Sequence, residues 1–259
     1  MKVVICGCGV VGRATGEGFA RLGHEVYTYD IDQERARVPW GTPLVMDESP
    51  DGCDVVFFCT PEEAAPGAVI DWWGPGTKVV RSSTPPGTVA QLAQKLGSVV
   101  FHNPESLREA TALQDFLNPK YVLIGVPPGS VGFDQLPELW ALERLYEPFR
   151  VPIIKTDSTI SEMVKLATNG LLATLIAYWM DIDRLCQRLG VNSHQVGMIA
   201  SLDPRVPGYG ARMHNPYGGR CLPKDIQQLL TLAQMLLGPD IDSQVPVLAG
   251  VRKWSGGIP

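Results

Sequence analysis

The feature that most constrains this chain is a series of short runs that are apolar at nearly every position. Val3–Cys6, Val55–Phe58, Val99–His102 and Val122–Ile124 are such runs, and Lys78–Arg81 holds a Val-Val pair between two cations. Their β-branched and aromatic content marks them as strands, with Glu25–Tyr29 as another. A strand that is apolar on both sides must be covered on both faces, as in a parallel sheet; a half-exposed antiparallel strand alternates instead. Helical patterns separate the runs, beginning with Val11–Leu22. Strand, helix and strand in repetition predict an α/β fold built on a doubly wound parallel sheet.

The pattern changes after Val151–Ile154. Thr156-Asp157-Ser158 supplies capping residues, and the next strong breaker is Gly190, with Gly170 the one weak point between them. One helix of about 29 residues is predicted over Ser161–Leu189, roughly 43 Å at 1.5 Å per residue. Helices of that length are often spines between domains or subunits. A Gly/Pro-rich loop, Pro204–Pro223, leads to further helical patterns at Ile226–Leu237 and Asp242–Trp254. A chain of 259 residues accommodates two modest domains. These read as a sheet domain over residues 1–155 and an all-helical domain with one long central helix over 156–259.

Composition excludes several classes. Hydrophobic residues make up 45% and charged residues 19%, which is globular rather than disordered. A net charge of −5 argues against a nucleic-acid partner. The uncharged stretch between Lys165 and Asp181 is 15 residues, short of the roughly 20 that span a bilayer, so no membrane segment is expected. Gly7 and Gly9 break the opening apolar run too early for a signal peptide. Six cysteines, with Cys6, Cys8, Cys53 and Cys59 in or beside apolar strands, read as reduced thiols of a cytoplasmic protein. No C-x-x-C pattern occurs, so no metal is expected.

Gly7-Cys8-Gly9-Val10-Val11-Gly12 follows the first strand and opens a helix. Such glycines permit a tight turn and let a pyrophosphate approach the N–H groups of a helix N-terminus. Asp30 ends the next strand, 18 residues after Gly12. A carboxylate there accepts hydrogen bonds from a ribose diol and repels a 2′-phosphate, favouring NAD over NADP. Arg35 and Arg37 read as a solvated face, with NADP the lesser alternative. Thr60-Pro61 and Ser82–Thr88 follow strands three and four, where open α/β sheets bind ligands, although Pro and Gly also punctuate ordinary loops.

Glu105 and Glu109 follow the fifth strand. They read either as acid–base groups or as solvated acids at a helix start. Glu162, Lys165 and Asn169 share one face of the long helix within a 60° arc. An exposed Glu162–Lys165 pair is the plain reading; an oxyanion site is the alternative if Lys165 and Asn169 face a cleft. Gly218-Gly219-Arg220-Cys221-Leu222-Pro223-Lys224-Asp225 places a cysteine on a loop, beside two cations and a following helix N-terminus, all of which favour thiolate. Cys221 also reads as a small buried hydrophobe, Lys224 as a solvated charge, and Asp225 as a helix N-cap with Gln228 completing a capping box.

Five blocks in one order carry a resemblance. They are the opening glycine turn, Arg81–Thr88 (R-S-S-T-P-P-G-T), Asn103–Glu109 (N-P-E-S-L-R-E), Glu162–Asn169 (E-x-x-K-x-x-x-N) and Gly218–Asp225 (G-G-R-C-L-P-K-D). Together with Asp115–Gly125 they resemble the UDP-glucose/GDP-mannose dehydrogenase family over nearly the whole chain. The resemblance implies a Rossmann-type N-terminal domain, NAD as cofactor and a sugar-nucleotide substrate. It implies oxidation of an alcohol to a carboxylate in two hydride transfers, most simply UDP-glucose to UDP-glucuronate, and a homodimer through helix 161–189. It also assigns roles. Cys221 matches the nucleophile that carries a thiohemiacetal and then a thioester. Lys165 and Asn169 match the oxyanion partners, and Asp225 the acid that holds water. Glu105 matches the carboxylate of the hydrolytic step, and Glu109 a second acid. Ser83 falls at a threonine position of the family, with Thr84 the alternative in a register shifted by one. Gly7, Gly9, Val10, Val11, Gly12, Asp30, Thr60, Pro61 and Ser83 are the implied cofactor contacts. Glu105, Ser106, Leu107, Lys165, Asn169, Tyr217, Gly218, Gly219, Cys221 and Lys224 are the implied substrate contacts.

Two departures stand out. Ser106 replaces the family's usual aromatic. The family usually runs to about 400 residues with a third, nucleotide-holding domain, for which this chain has no counterpart. Two other readings stay open. One is a single-step dehydrogenase of the 6-phosphogluconate or β-hydroxyacid type, which needs no thiol. The other is a catalytically silent NAD-binding or assembly subunit.

Overall fold

A computed structural model of the chain describes residues 1–45, 51–130, 136–211 and 217–255. They form two compact units, Met1–Lys165 and Leu166–Pro259. In the first unit the strands are β1 (Lys2–Cys6), β2 (Glu25–Tyr29), β3 (Thr42–Pro43), β4 (Val55–Phe58), β5 (Thr77–Val80), β6 (Val100–His102), β7 (Val122–Val126) and β8 (Ile153–Asp157). They form one eight-stranded sheet in the order β3-β2-β1-β4-β5-β6-β7-β8. The chain builds outward from β1 on one side and then returns to build on the other. That reversal opens a crevice at the carboxyl ends of β1 and β4.

Side chains alternate along each strand, and both faces are covered. Val3 and Ile5 of β1 share one face with Phe57, Val79 and Phe101. That face is covered by α1 (Val10–Arg21), α5 (Ala112–Leu117) and α6 (Pro137–Tyr146), through Phe19, Phe116 and Leu142. Val4 and Cys6 point to the other face with Phe58, Val80 and Val100. There α3 (Ala65–Ile70) and α4 (Thr88–Leu96) supply Val69, Val89 and Leu92. This double cover is why the strands read apolar throughout, and each fully buried Phe contributes about 1.5–3 kcal/mol.

The expected sheet is α/β, as found, but it is not parallel throughout. β6 and β7 pair antiparallel at His102↔Gly125, while β7 and β8 run parallel. The connection from β6 holds the six-residue α5, whose Phe116 packs edge-on against Phe19 of α1 at 5.1 Å. A helix about 9 Å long cannot return the chain to the start of the sheet, so β7 enters reversed. Both directions bury both faces, so the apolar pattern does not distinguish them. A short helix, α2 (Gln33–Ala36), follows β2, and the short β3, which sequence reading does not foresee, is an edge strand where Pro43 is tolerated.

The long helix, α7, runs Ser158–Leu189, 32 residues against the predicted Ser161–Leu189. It starts three residues earlier because the Asp157 carboxylate accepts from Thr159 N at 2.7 Å. By length and composition alone α7 is apolar enough to cross a bilayer, which counting uncharged residues does not register. Half of that apolar window is buried within the protein.

In the second unit the rest of α7 packs with α9 (Cys221–Leu237) and α11 (Pro246–Val251) around Ile176, Met180, Tyr217, Ile226 and Leu230. Gly170 is a contact point rather than a weakness: a Cβ there would lie 2.8 Å from Leu229. α8 spans Ser193–Ala200. The predicted helix Asp242–Trp254 is broken. α10 (Ile241–Gln244) stops at Val245, because Pro246 disfavours helical geometry in its predecessor, and a 3-10 turn follows α11 at Arg252–Trp254. Residues 212–216 of the predicted Pro204–Pro223 loop lie outside the described residues.

Candidate active site

The crevice is built by the glycine turn. Gly7 sits at φ +94°, and a Cβ there would meet the Cys59 carbonyl at 2.8 Å; at Gly12 it would meet Gly7 O at 1.8 Å. These two glycines let the turn, β4 and α1 close on one another. A Cβ at Gly9 meets nothing within 4 Å. Gly9 is the N-cap of α1 and offers no side chain to its first N–H groups, with the half-buried Val11 and exposed Val10 beginning the helix. An anionic group has open access to that helix end. Beside it, Thr60 Oγ1 is buried with no hydrogen-bond partner, and Pro61 follows it at the surface. Asp30 is buried and accepts from Cys8 N at 2.7 Å and Asp32 N at 2.9 Å, which fixes its carboxylate at the end of β2 with lone pairs to spare. Arg35 and Arg37 pair with Asp32 and Glu34 on the surface. The open helix N–H groups suit a pyrophosphate, and the Asp30 carboxylate can accept from a ribose diol.

The end of β6 carries the second feature. Lys165 Nζ donates to Glu105 Oε1 and to Glu105 O, both at 2.8 Å, with both side chains nearly buried. Glu105 also accepts from Leu107 N at 2.6 Å. Burial pushes the Glu105 carboxyl up, but the Lys165 ammonium and these bonds outweigh it and hold it below its ordinary value. Glu105 is therefore not a solvated helix-start acid. Glu109 is exposed and opens a 3-10 turn, and Ser106 is exposed beside the half-buried Leu107.

The exposed Glu162–Lys165 pair is not formed. Glu162 is fully buried and accepts from Thr84 Oγ1 at 3.0 Å, Gly87 N at 2.6 Å and Val89 N at 3.0 Å. It ties the start of α7 to the start of α4. Burial pushes its carboxyl up to about 7, against these donors. Thr84 thus commits its hydroxyl to Glu162, while Ser83 is half-buried.

In the second unit Cys221 is the first residue of α9, not a loop residue, and it is exposed. The helix starts five residues before the predicted Ile226, since Pro223 fits the first turn of a helix. Its N-cap is Arg220, so Asp225 is not a cap. Asp225 lies one turn after Cys221 on the same helix, fully buried. It accepts from Asn169 Nδ2 and from Lys224 Nζ, each at 2.5 Å. Tyr217 turns into the helical core, where its hydroxyl donates to Val251 O at 3.0 Å, and Gly218 and Gly219 are exposed before the helix. By contrast, burial pushes Cys8 and Cys59 up to about 12 and Cys53 to about 11.

Sequence reading gives no role to Arg81, His102 or Tyr146. His102 is buried with Nδ1 2.7 Å from Ser161 Oγ, and burial lowers its pKa to about 3. A cation ending an apolar strand and a histidine ending another were the available signals.

The fold and its glycine turn define a dinucleotide-binding protein of the Rossmann type. Residues 159–245 match the central domain of the UDP-glucose/GDP-mannose dehydrogenase family. Over those residues the chain is similar to that family, whose members are NAD-dependent. UDP-glucose 6-dehydrogenase YwqF of Bacillus subtilis is 26% identical over 90% of this chain and 62% of its own length. A UDP-glucose 6-dehydrogenase of Rickettsia conorii is 33% identical over 60% of this chain and 36% of its own. The chain spans less than two thirds of these curated relatives. The structure of a UDP-glucose dehydrogenase from Pyrobaculum islandicum superposes with a TM-score of 0.78 at 25% identity, covering 98% of this chain and 68% of that one. A Mycobacterium tuberculosis 3-hydroxyisobutyrate dehydrogenase shares the fold at TM-score 0.71 and 15% identity, covering 97% of this chain and 91% of that one.

Proposed function

We propose that this chain oxidises the primary alcohol of a nucleotide sugar to a carboxylate, with UDP-glucose as the leading substrate and UDP-glucuronate as product. The observation that carries this reading is the start of α9: an exposed Cys221 one turn from a buried Asp225 that is bonded to Asn169 and Lys224. Residues 1–155 would bind the dinucleotide through Gly7–Gly12, Asp30, Thr60, Pro61 and Ser83, and residues 156–259 would complete the chemistry.

NAD, when bound, supplies the two-electron acceptor for each oxidation. In the first oxidation the substrate hydroxyl loses its proton to a carboxylate or to water held by one, and its carbon gives up a hydride, leaving the aldehyde. Lys165 and Asn169 meet the developing oxygen. The Cys221 thiolate then adds to the aldehyde carbon, and its C=O pair becomes an oxyanion paired with Lys165. Loss of hydride from that carbon re-forms the carbonyl as a thioester. Water adds, giving its proton to Glu105 or Asp225, and the C–S bond breaks to return thiolate and release carboxylate. Glu109, Ser106, Leu107, Tyr217, Gly218, Gly219 and Lys224 are assigned to the substrate's surroundings.

A cytoplasmic homodimer through residues 161–189 belongs to this reading. Leu171, Tyr178 and Leu185 are exposed on α7 at seven-residue spacing, which suits a helix–helix seam.

The test is absorbance at 340 nm with NAD and a panel of sugar nucleotides. Two NADH per sugar are expected from the native chain. Completion of both oxidations at the native rate by Cys221→Ser would refute the thioester route. The likeness to 3-hydroxyisobutyrate dehydrogenase, which spans 91% of that chain, favours a second reading as a single-step β-hydroxyacid dehydrogenase. One NADH per substrate, indifferent to Cys221→Ser, would select it.

A further inference from the structure

Arg81 follows β5 and is 5% exposed. Its Nη1 donates to Asn103 Oδ1 and, at 3.0 Å, to the Tyr146 hydroxyl. Its guanidinium lies 5.5 Å from the centroid of the Phe116 ring, and its Nε is buried with no partner. Among the described residues no carboxylate pairs with it. A buried cation without a direct ion pair costs stability, which the Asn103 and Tyr146 dipoles offset in part.

Asn103 passes the hold onward. Its Nδ2 donates to Leu123 O at 2.8 Å, its N–H to Val80 O at 2.8 Å, and Tyr146 donates to its Oδ1 at 2.5 Å. Glu105 lies two residues beyond, and Arg81 is one of the two cations whose field favours its carboxylate. The other, Lys165, is bonded to Glu105 itself. Lys165 commits two of its three N–H groups to Glu105, and a substrate oxygen on the third shares the ammonium's charge, which weakens its hold on Glu105 and lets burial favour a proton there. A neutral Glu105 cannot accept a proton from water.

We propose that Arg81 is a positioning residue: it fixes the Asn103-Pro104-Glu105 turn and keeps Glu105 a carboxylate while Lys165 engages the substrate. The inference rests on the hydrolytic role given to Glu105 above.

The experiment measures the pH profile of kcat for NADH formation in the native chain and in Arg81→Met, Asn103→Asp and Arg81→Lys. Arg81→Met removes the charge. Asn103→Asp neutralises it in place with a near-isosteric carboxylate, which keeps the test open if the first variant does not fold. The acidic limb should move up by about one pH unit in both, a tenfold change in proton affinity. It should stay at the native position in Arg81→Lys, with KM unchanged throughout. An acidic limb common to all folded variants overturns the inference, and so does a limb displaced equally in Arg81→Lys. If the native chain forms no NADH from any sugar nucleotide, it is the proposed function that fails.

Discussion

Glu162 is a buried acid facing three hydrogen-bond donors and no cation, and its environment yields a signed prediction. Its carboxyl is raised from 4.5 to about 7, with burial the largest cause and Asp157 adding to it. A folded acid with a raised pKa binds its proton more tightly than the unfolded chain does. Between pH 4.5 and 7 the folded state therefore holds more protons, and stability falls as pH rises through that window. At 1.36 kcal/mol per pKa unit, the loss is about 3 kcal/mol, complete just above pH 7. Glu162→Gln removes the titration and keeps the shape. It also leaves Gly87 N or Val89 N facing an amide N–H, a buried mismatch that costs about 1–3 kcal/mol at any pH. Urea denaturation of both proteins from pH 4.5 to 8 isolates Glu162, because the other titrating groups are common to the two. The native chain should be the more stable at pH 4.5, and its advantage should shrink by about 3 kcal/mol, to nothing or less, by pH 8. A difference that is flat across this range, or that grows with pH, would refute the account of Glu162 as an acid strained by burial.

Other expectations follow from the same geometry. Lys165→Met leaves Glu105 buried without its ion partner and should cost about 3–5 kcal/mol in chemical denaturation, along with turnover; a loss under 1 kcal/mol would mean the pair is solvated. Gly12→Ala forces a Cβ to within 1.8 Å of Gly7 O, so NAD affinity by fluorescence titration should collapse while the helical unit keeps its circular-dichroism signal. Leu171→Glu with Leu185→Glu should convert a dimer to monomer in sedimentation, and an unchanged sedimentation coefficient would remove α7 as the seam. Asp225→Asn should slow the final hydrolysis more than the first hydride transfer, visible as a sugar–enzyme adduct by intact mass; no adduct would take Asp225 out of that step.

The sheet was legible because strands covered on both faces cannot alternate, and Val3–Cys6 and Val55–Phe58 declare that in four residues each. Strand direction was not, since β7 buries the same side chains either way. The predicted start of α9 at Ile226 falls short because Pro223 reads as the end of the Gly/Pro-rich loop, whereas a proline in the first turn begins a helix. The glycine turn announced its crevice through spacing alone. The partners of Lys165 and Glu162 could not be announced so. A helix face gives the direction of a side chain and not what it meets, and Glu105 and Gly87 come from sequence 60 and 75 residues away.

The uneven surroundings of the six cysteines have a practical consequence. Cys8 and Cys59 are held near 12 by burial, and Cys6, Cys53 and Cys186 are also buried, while Cys221 stands exposed at a helix N-terminus. Electrophiles need access to a thiol, and Cys221 is the one cysteine that is exposed. A limiting dose of iodoacetamide at neutral pH should therefore alkylate a single position. The chain would carry its own address for a covalent probe, with no need to remove the other five cysteines first.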